Sequence, residues 1–482
     1  MTIDTFTETR RELLGRSLSA AGTAALASLL GRDSCAFGAS DDTALGASHF
    51  APRARSVILL KMAGAPSQLD LLDHKPQLQR FDGKPCPEEF VKDQEFAFIV
   101  GRPPLLASPF RFSRHGDSGA EISELLPHTA RVADELCIIK SMQTDQFNHA
   151  PALLFLQTGA DRPGHPSMGA WLSYGLGSPN RDLPAFVVMS SGGVFTGQNK
   201  QLWGSGFLPS VHPGVQLRSQ GDPVPYLSHP AGISRDQQKW SVETINALNQ
   251  LHEQSVANPE ILTRIRQYAM AYRMQVSVPD LTRIDDEPAS IHQMYGTRIG
   301  KRSFSNNCLL ARRLVERGVR FVQLYHGSWD THGSSRGESL QHALPSLCRA
   351  TDRACAALIT DLKQRGLLDE TLVVWAGEFG RTPMYENRQG LDDQQNQLLG
   401  RDHHQHAFTV WMAGGGVKAG VTYGETDDLG FWVTRNPVHV HDLQATILHL
   451  LGIDHTRLVF RHQGRDFRLT DVGGTIVHKI IV

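Results

Sequence analysis

Runs of apolar residues closed by glycine, proline or polar turns alternate with amphipathic stretches along this chain, the pattern of strands buried on both faces with helices between them. Residues 56–62, Ser-Val-Ile-Leu-Leu-Lys-Met, read as a first buried strand that breaks at Gly64 and Pro66, and Ser67 then opens a short helix. Residues 121–133 read as a helix, 136–140 as a second strand, and 150–158 as a helix stopped by Gly159. From about 183 to about 290 the pattern turns irregular, then polar and helical (242–256 and 259–276), which predicts a peripheral insertion. Regularity returns with a helix over 304–317, a strand over 319–325, a helix over 350–365 stopped by Gly366, strands over 372–376 and 407–413, and a helix capped by Asp442 that runs to Leu451. Strand and helix in alternation predict an α/β fold over residues 49–482: a doubly wound, mostly parallel sheet with helices on both faces.

Composition narrows what such a fold can do. At 40% apolar and 20% charged residues the chain is an ordinary globular sequence, and a formal charge of -1 leaves no basic surplus to attract nucleic acid. The six cysteines lie far apart, so no disulfide framework is indicated, and Cys348 and Cys355, seven apart on one helical face, read as small buried hydrophobes. Near the start, Thr9-Arg10-Arg11-Glu12-Leu13-Leu14 precedes an Ala- and Leu-rich stretch too short and too weakly apolar to span a bilayer. That arrangement predicts a twin-arginine signal and processing region over residues 1–48, export to an extracytoplasmic compartment after folding, and no transmembrane segment in the mature chain.

Histidine is the unusual residue, at 22 copies. Three runs place acids and histidines directly after apolar strands: Trp329-Asp330-Thr331-His332-Gly333, Gly377-Glu378-Phe379-Gly380-Arg381 and Arg401-Asp402-His403-His404-Gln405-His406. Open α/β sheets bind ligands at the carboxyl ends of their strands, so Asp330, His332, Glu378 and His404 are expected to meet as metal ligands. Asp402, His403 and His406 belong to the same candidate set. Strand side chains alternate in direction, so His403 is structural if His404 and His406 are ligands, or the reverse. Blander readings stand beside these. Asp330 and His332 could cap a turn, Glu378 could pair with Arg381, and Arg381 and Arg401 either clamp an anion or brace loops. Asp70 and Asp73, three apart on one helical face, are expected to face solvent, with a ligand role the alternative, and His439 and His441 to be structural.

The motifs Gly64-Ala65-Pro66-Ser67, Asn148-His149-Ala150-Pro151, Trp329-Asp330-x-His332-Gly333, Glu378-Phe379-Gly380-Arg381-Thr382-Pro383 and Gly400-Arg401-Asp402-His403-His404 closely resemble a sulfatase-like, uncharacterised branch of the alkaline phosphatase superfamily, domain of unknown function 1501. The resemblance implies hydrolysis of small phosphate or sulfate esters with a divalent metal. This chain departs from the sulfatase pattern where the chemistry sits. Gly64-Ala65 replaces paired aspartates, Glu378-Phe379 keeps one carboxylate of a pair, and His149 stands in place of the cysteine nucleophile. His149 is therefore nucleophile, general base or ligand, with Ser67 the alternative nucleophile and Arg381 an anion-binding partner. Imidazole and carboxylate together suit zinc or manganese better than calcium. A metal- or anion-binding assembly protein without catalysis is the other expectation.

Overall fold

In the first strand, β1 (Ser56–Met62), all seven residues are buried. A strand covered on both faces needs paired neighbours and a helical layer on each side. The computed structural model describes residues 44–482 apart from 46–47, 93, 95, 100, 193–198, 219–236, parts of 238–258 and 387–397, and it contains both. In chain order β1 is followed by β2 (Cys137–Gln143), α1 (His149–Thr158), α2 (Met168–Leu176), β3 (Phe186–Ser191), β4 (Val215–Gln216), α3 (Pro259–Thr282), α4 (Phe304–Glu316), β5 (Phe321–His326), α5 (Ala343–Gln364), β6 (Thr371–Ala376), β7 (Phe408–Ala413), β8 (Val421–Tyr423), β9 (Val438–His439) and α6 (Val440–Leu450).

Among the described residues these strands form one mixed, mostly parallel sheet in the order β8-β2-β7-β6-β1-β5-β3-β4, with β9 also pairing with β2. The neighbours β6, β1, β5, β3 and β4 run parallel, whereas β7 is antiparallel to both β6 and β2. As a consequence the carboxyl ends of β1, β2, β5 and β6 and the amino end of β7 share one rim. The period of two along β1 divides the core. Ile58, Leu60 and Met62 pack with Leu309 and Leu314 of α4 and Leu358 and Leu362 of α5, while Val57 and Leu59 pack with Leu154 of α1, Leu172 of α2 and Leu443 and Leu448 of α6. The α/β architecture is thus the expected one, with helices on both faces.

Several local expectations are corrected. The stretch from 183 is no peripheral insertion at its start, because β3 lies inside the sheet in register with β5, Phe186 opposite Phe321. Residues 121–133 form no α-helix. Ala120–Ser123 pairs with Phe112–His115 as a hairpin, and a 3-10 segment, Thr129–Glu135, follows. The last helix is capped by His439, while Asp442 acts three residues in, its carboxylate accepting the His439 backbone N–H. Asp70 and Asp73 are buried rather than solvent-facing. The expected signal region lies almost wholly outside the described residues, as does most of the helix expected over 242–256. Among the described residues no helix is long and apolar enough to cross a membrane.

Candidate metal centre

The shared rim collects the chemistry. The β1 turn carries Gly64, whose φ of 109° and tight surroundings admit no side chain: a Cβ there would stand 2.6 Å from the backbone nitrogen of Asp330. Residues after β5 supply Asp330 and His332, residues after β6 supply Glu378 and Arg381, and β2 leads to His149 in the first turn of α1. His403 arrives just before β7, on a two-residue strand paired antiparallel with Gly380–Arg381, His403 opposite Arg381. Two of the turns are strained, with Ala65 at φ 59° and Ser328 at φ 73°, conformations that residues with a Cβ rarely adopt and that concentrate at functional sites.

His149, Asp330, His332 and His403 offer ligand atoms that all lie within 4.8 Å of one another. Asp330 Oδ1 is 2.7 Å from His332 Nε2, 3.2 Å from His149 Nε2 and 3.6 Å from His403 Nε2, and the Nε2 atoms of His332 and His403 are 3.0 Å apart. Two ligands at zinc distance on a tetrahedron stand roughly 3.3 Å apart, so the spacing matches a single ion.

The opposite ring nitrogens explain the orientation. His149 Nδ1 donates to Glu378 Oε1 at 2.7 Å, His403 Nδ1 donates to the Phe147 carbonyl at 2.7 Å, and His332 Nδ1 meets Glu386 Oε2. An ionised carboxylate or a carbonyl can only accept, so each Nδ1 carries a proton, and an imidazole that gives up its second proton turns an Nε2 lone pair inward. Lone pairs facing each other at 3.0 Å require a cation or a proton between them. This is the outer arrangement that fixes tautomer and ring direction in histidine metal sites.

Charge points the same way. The carboxylates of Asp330, Glu378, Glu386 and Asp402 gather here against the cations Lys61 and Arg381. Burial favours a neutral Glu378, yet the Lys61 ammonium at 2.8 Å and the His149 hydrogen bond outweigh it and hold its pKa down to about 2. Its Oε1 also accepts the Gly64 N–H at 2.8 Å. Burial likewise opposes ionisation of Asp330, but Arg381 and the three imidazoles keep its pKa well below the usual carboxylate range. Burial lowers His403 to about 4. For His149 the hydrogen bonds to Asp330 and Glu378 overcome burial and raise its pKa.

Other expected site residues play different parts. His404 points to the opposite side of its strand, where its Nε2 donates to the Phe431 carbonyl at 2.6 Å and burial drives its pKa down to about 3. His406 Nε2 faces Gln94 at 3.1 Å. Glu378 is no ligand in this geometry, since its two oxygens serve His149, Gly64 and Lys61. Asp402 accepts the backbone N–H groups of Phe98, Ile99 and His403, and with His332 and Glu386 it forms a second group of possible ligand atoms within 4.8 Å of one another. Ser67 donates its hydroxyl to Asp70 at 2.5 Å and precedes a helix of only four residues, which does not suit it as a nucleophile. Arg381 donates to the carbonyls of Gly64, Ala65 and Arg401 and to Asp330, and its remaining N–H faces His332 Nε2 at 3.4 Å. It braces the loops through these carbonyls. Glu386 and Phe147 carry no sequence signal for their parts, whereas a lysine inside an otherwise apolar strand was a visible sign that Lys61 has a buried partner.

Residues 54–481 match the family described as "Protein of unknown function (DUF1501)", and the chain belongs to it. A comparison with curated proteins finds no match. Among solved structures the chain is similar to Ps i-CgsB in complex with k-i-k-neocarrahexaose (12% identity over 82% of this chain and 72% of that one, TM-score 0.36). It is also similar to the lipoteichoic acid synthase LtaP from Listeria monocytogenes (10%, 84% and 74%, TM-score 0.34) and to the PsFucS1 sulfatase from Pseudoalteromonas sp. (13%, 84% and 68%, TM-score 0.35). At these TM-scores the similarities carry no argument about chemistry, which rests on the site alone.

Proposed function

We propose that this protein is an exported, metal-dependent hydrolase of phosphate or sulfate esters whose cation, zinc or manganese, is held by the Nε2 atoms of His149, His332 and His403 with Asp330 as the fourth group. The observation that supports this reading best is the convergence of three Nε2 atoms, each aimed by an acceptor on its Nδ1, on one carboxylate oxygen. Nitrogen and oxygen donors in this number suit zinc or manganese rather than calcium. A bound ion would polarise an ester oxygen or acidify a water. Asp330 is the most exposed of the four, its side chain 28% accessible, so substrate and water approach from its side. Export rests on the paired arginines Arg10 and Arg11.

One observation favours a second reading, a closed binding site. Four protein groups within 4.8 Å of one another are enough to fill a zinc shell, and structural zinc sites are closed while catalytic ones keep a position open. One experiment separates the two. Protein purified without chelator is analysed for metals and assayed on phosphate and sulfate esters. One zinc or manganese per chain, with hydrolysis that disappears with the metal in His332→Ala, supports the hydrolase. Stoichiometric metal without turnover of either ester class leaves the binding role, and protein that takes up no divalent metal sinks both.

A further inference from the structure

Phe98 stands edge-to-face against two imidazoles of the cluster, its ring centroid 5.0 Å from that of His332 and 5.8 Å from that of His403. Even so, 39% of the residue stays exposed. Its place is fixed by more than its own packing. The backbone N–H groups of Phe98 and Ile99 both donate to Asp402 Oδ2, at 2.7 and 2.9 Å, while Asp402 Oδ1 accepts the His403 N–H at 2.7 Å. Ile99 is buried with Leu105, Met384 and Phe431. One carboxylate therefore ties the Phe98 loop to the strand that carries His403. The outcome is a large apolar ring held beside the imidazoles of the cluster with part of its surface in water, where covering it is favourable.

We infer that Phe98 is a specificity-determining wall of this site, and that its ligands are esters carrying a ring, aryl or sugar, next to the phosphoryl or sulfuryl group. This rests on the metal-centre reading above. The charged head group reaches the cation and gains nothing from a phenyl ring, whereas a ring on the ester oxygen packs against Phe98. Compact esters engage the head-group site alone. Asp402 is then a positioning residue that acts through the Phe98 loop.

The test uses phenylphosphonate and methylphosphonate, which share a head group and are not hydrolysed, titrated calorimetrically into zinc-loaded wild type and Phe98→Ala. Phenylphosphonate is expected to bind wild type about tenfold more tightly than methylphosphonate, as an aromatic contact plus its buried area allows. In Phe98→Ala that preference shrinks to under about twofold, while zinc content and methylphosphonate affinity hold. Equal loss of both ligands in the variant means that Phe98 only braces the imidazoles, and absence of any preference in wild type means that it is no wall; either result overturns the inference. Selective binding by a protein that hydrolyses no ester refutes the hydrolase and leaves the wall standing. If no zinc is taken up, the metal reading falls and the same titration is read on the metal-free protein, where lack of preference overturns the wall as well.

Discussion

Asp70 meets Arg401 and Asp330 meets Arg381 at the same end of the sheet, yet the two pairs are built differently. Asp70 takes Arg401 Nε at 2.8 Å and a terminal nitrogen at 3.2 Å, accepts the Ser67 hydroxyl, and is fully buried, while the other terminal nitrogen of Arg401 donates to the Leu106 and Thr382 carbonyls. One charge meets one charge and little is left over. Around Asp330, a guanidinium and three imidazoles press on a single oxygen at a partly open position, and further carboxylates stand behind the rings. A saturated pair holds loops together. An unbalanced cluster with its Nε2 atoms turned inward is what a candidate binding site looks like.

The contrast is broken most severely at the closed pair. Arg401→Met strands a buried carboxylate and is expected to cost about 3–5 kcal/mol of stability in chemical denaturation, with metal content per folded chain unchanged. Loss of metal from folded Arg401→Met would show that the two clusters are one. At the open cluster the order reverses: His332→Ala is expected to keep its fold and to lose metal affinity by more than the roughly 10–100-fold that an outer partner is worth. Competition with a chromogenic chelator measures it. Glu378→Gln, which loosens His149 without removing it, should fall inside that 10–100-fold range, and no change would mean that His149 is not held from behind.

A buried imidazole outside both clusters sharpens the comparison. His326 accepts the Trp329 Nε1–H at 3.1 Å, and burial lowers its pKa from the ordinary 6.5 to about 4. Between those values the unfolded chain binds a proton that the folded one refuses. The stability it contributes is complete above pH 6.5 and is lost as pH falls towards 4. At pH 5 the loss is about 2 kcal/mol, and His326→Asn, which keeps an acceptor for Trp329, should flatten the fall in denaturation midpoint between pH 7 and pH 5 by that order. The smallest effect belongs to His404→Gln, for which metal affinity is expected to move less than about threefold, since this ring serves a backbone carbonyl on the far side of its strand. A larger drop would place His404 in the site.

Much of this was legible beforehand, and the failures have physical causes. β1, β2, β5, β6 and β7 announce themselves because a strand covered on both faces must be continuously apolar, and Gly159 and Gly366 mark helix ends because only a residue without a Cβ takes the left-handed turn freely. β3 escaped because its sequence, Phe-Val-Val-Met-Ser-Ser, is followed by an irregular stretch, and pairing with β5 rather than local pattern makes it a sheet strand. Asp70 and Asp73 read as solvent-facing because the cations that bury them, Arg401 for one and Lys75 and Lys140 for the other, lie on distant segments or past a turn.

The sequence alone determined the class of fold and the inventory of the site: which strands exist, that acids and histidines follow them, and that a histidine opens α1. Tertiary structure decided who faces whom. His403 and His404 are chemically identical neighbours, and the antiparallel pairing of their strand with Gly380–Arg381 turns one towards Asp330 and the other towards Phe431. Side chains alternate along a strand, so a register shift of one residue would exchange their roles, and register is set by contacts between segments far apart in the chain.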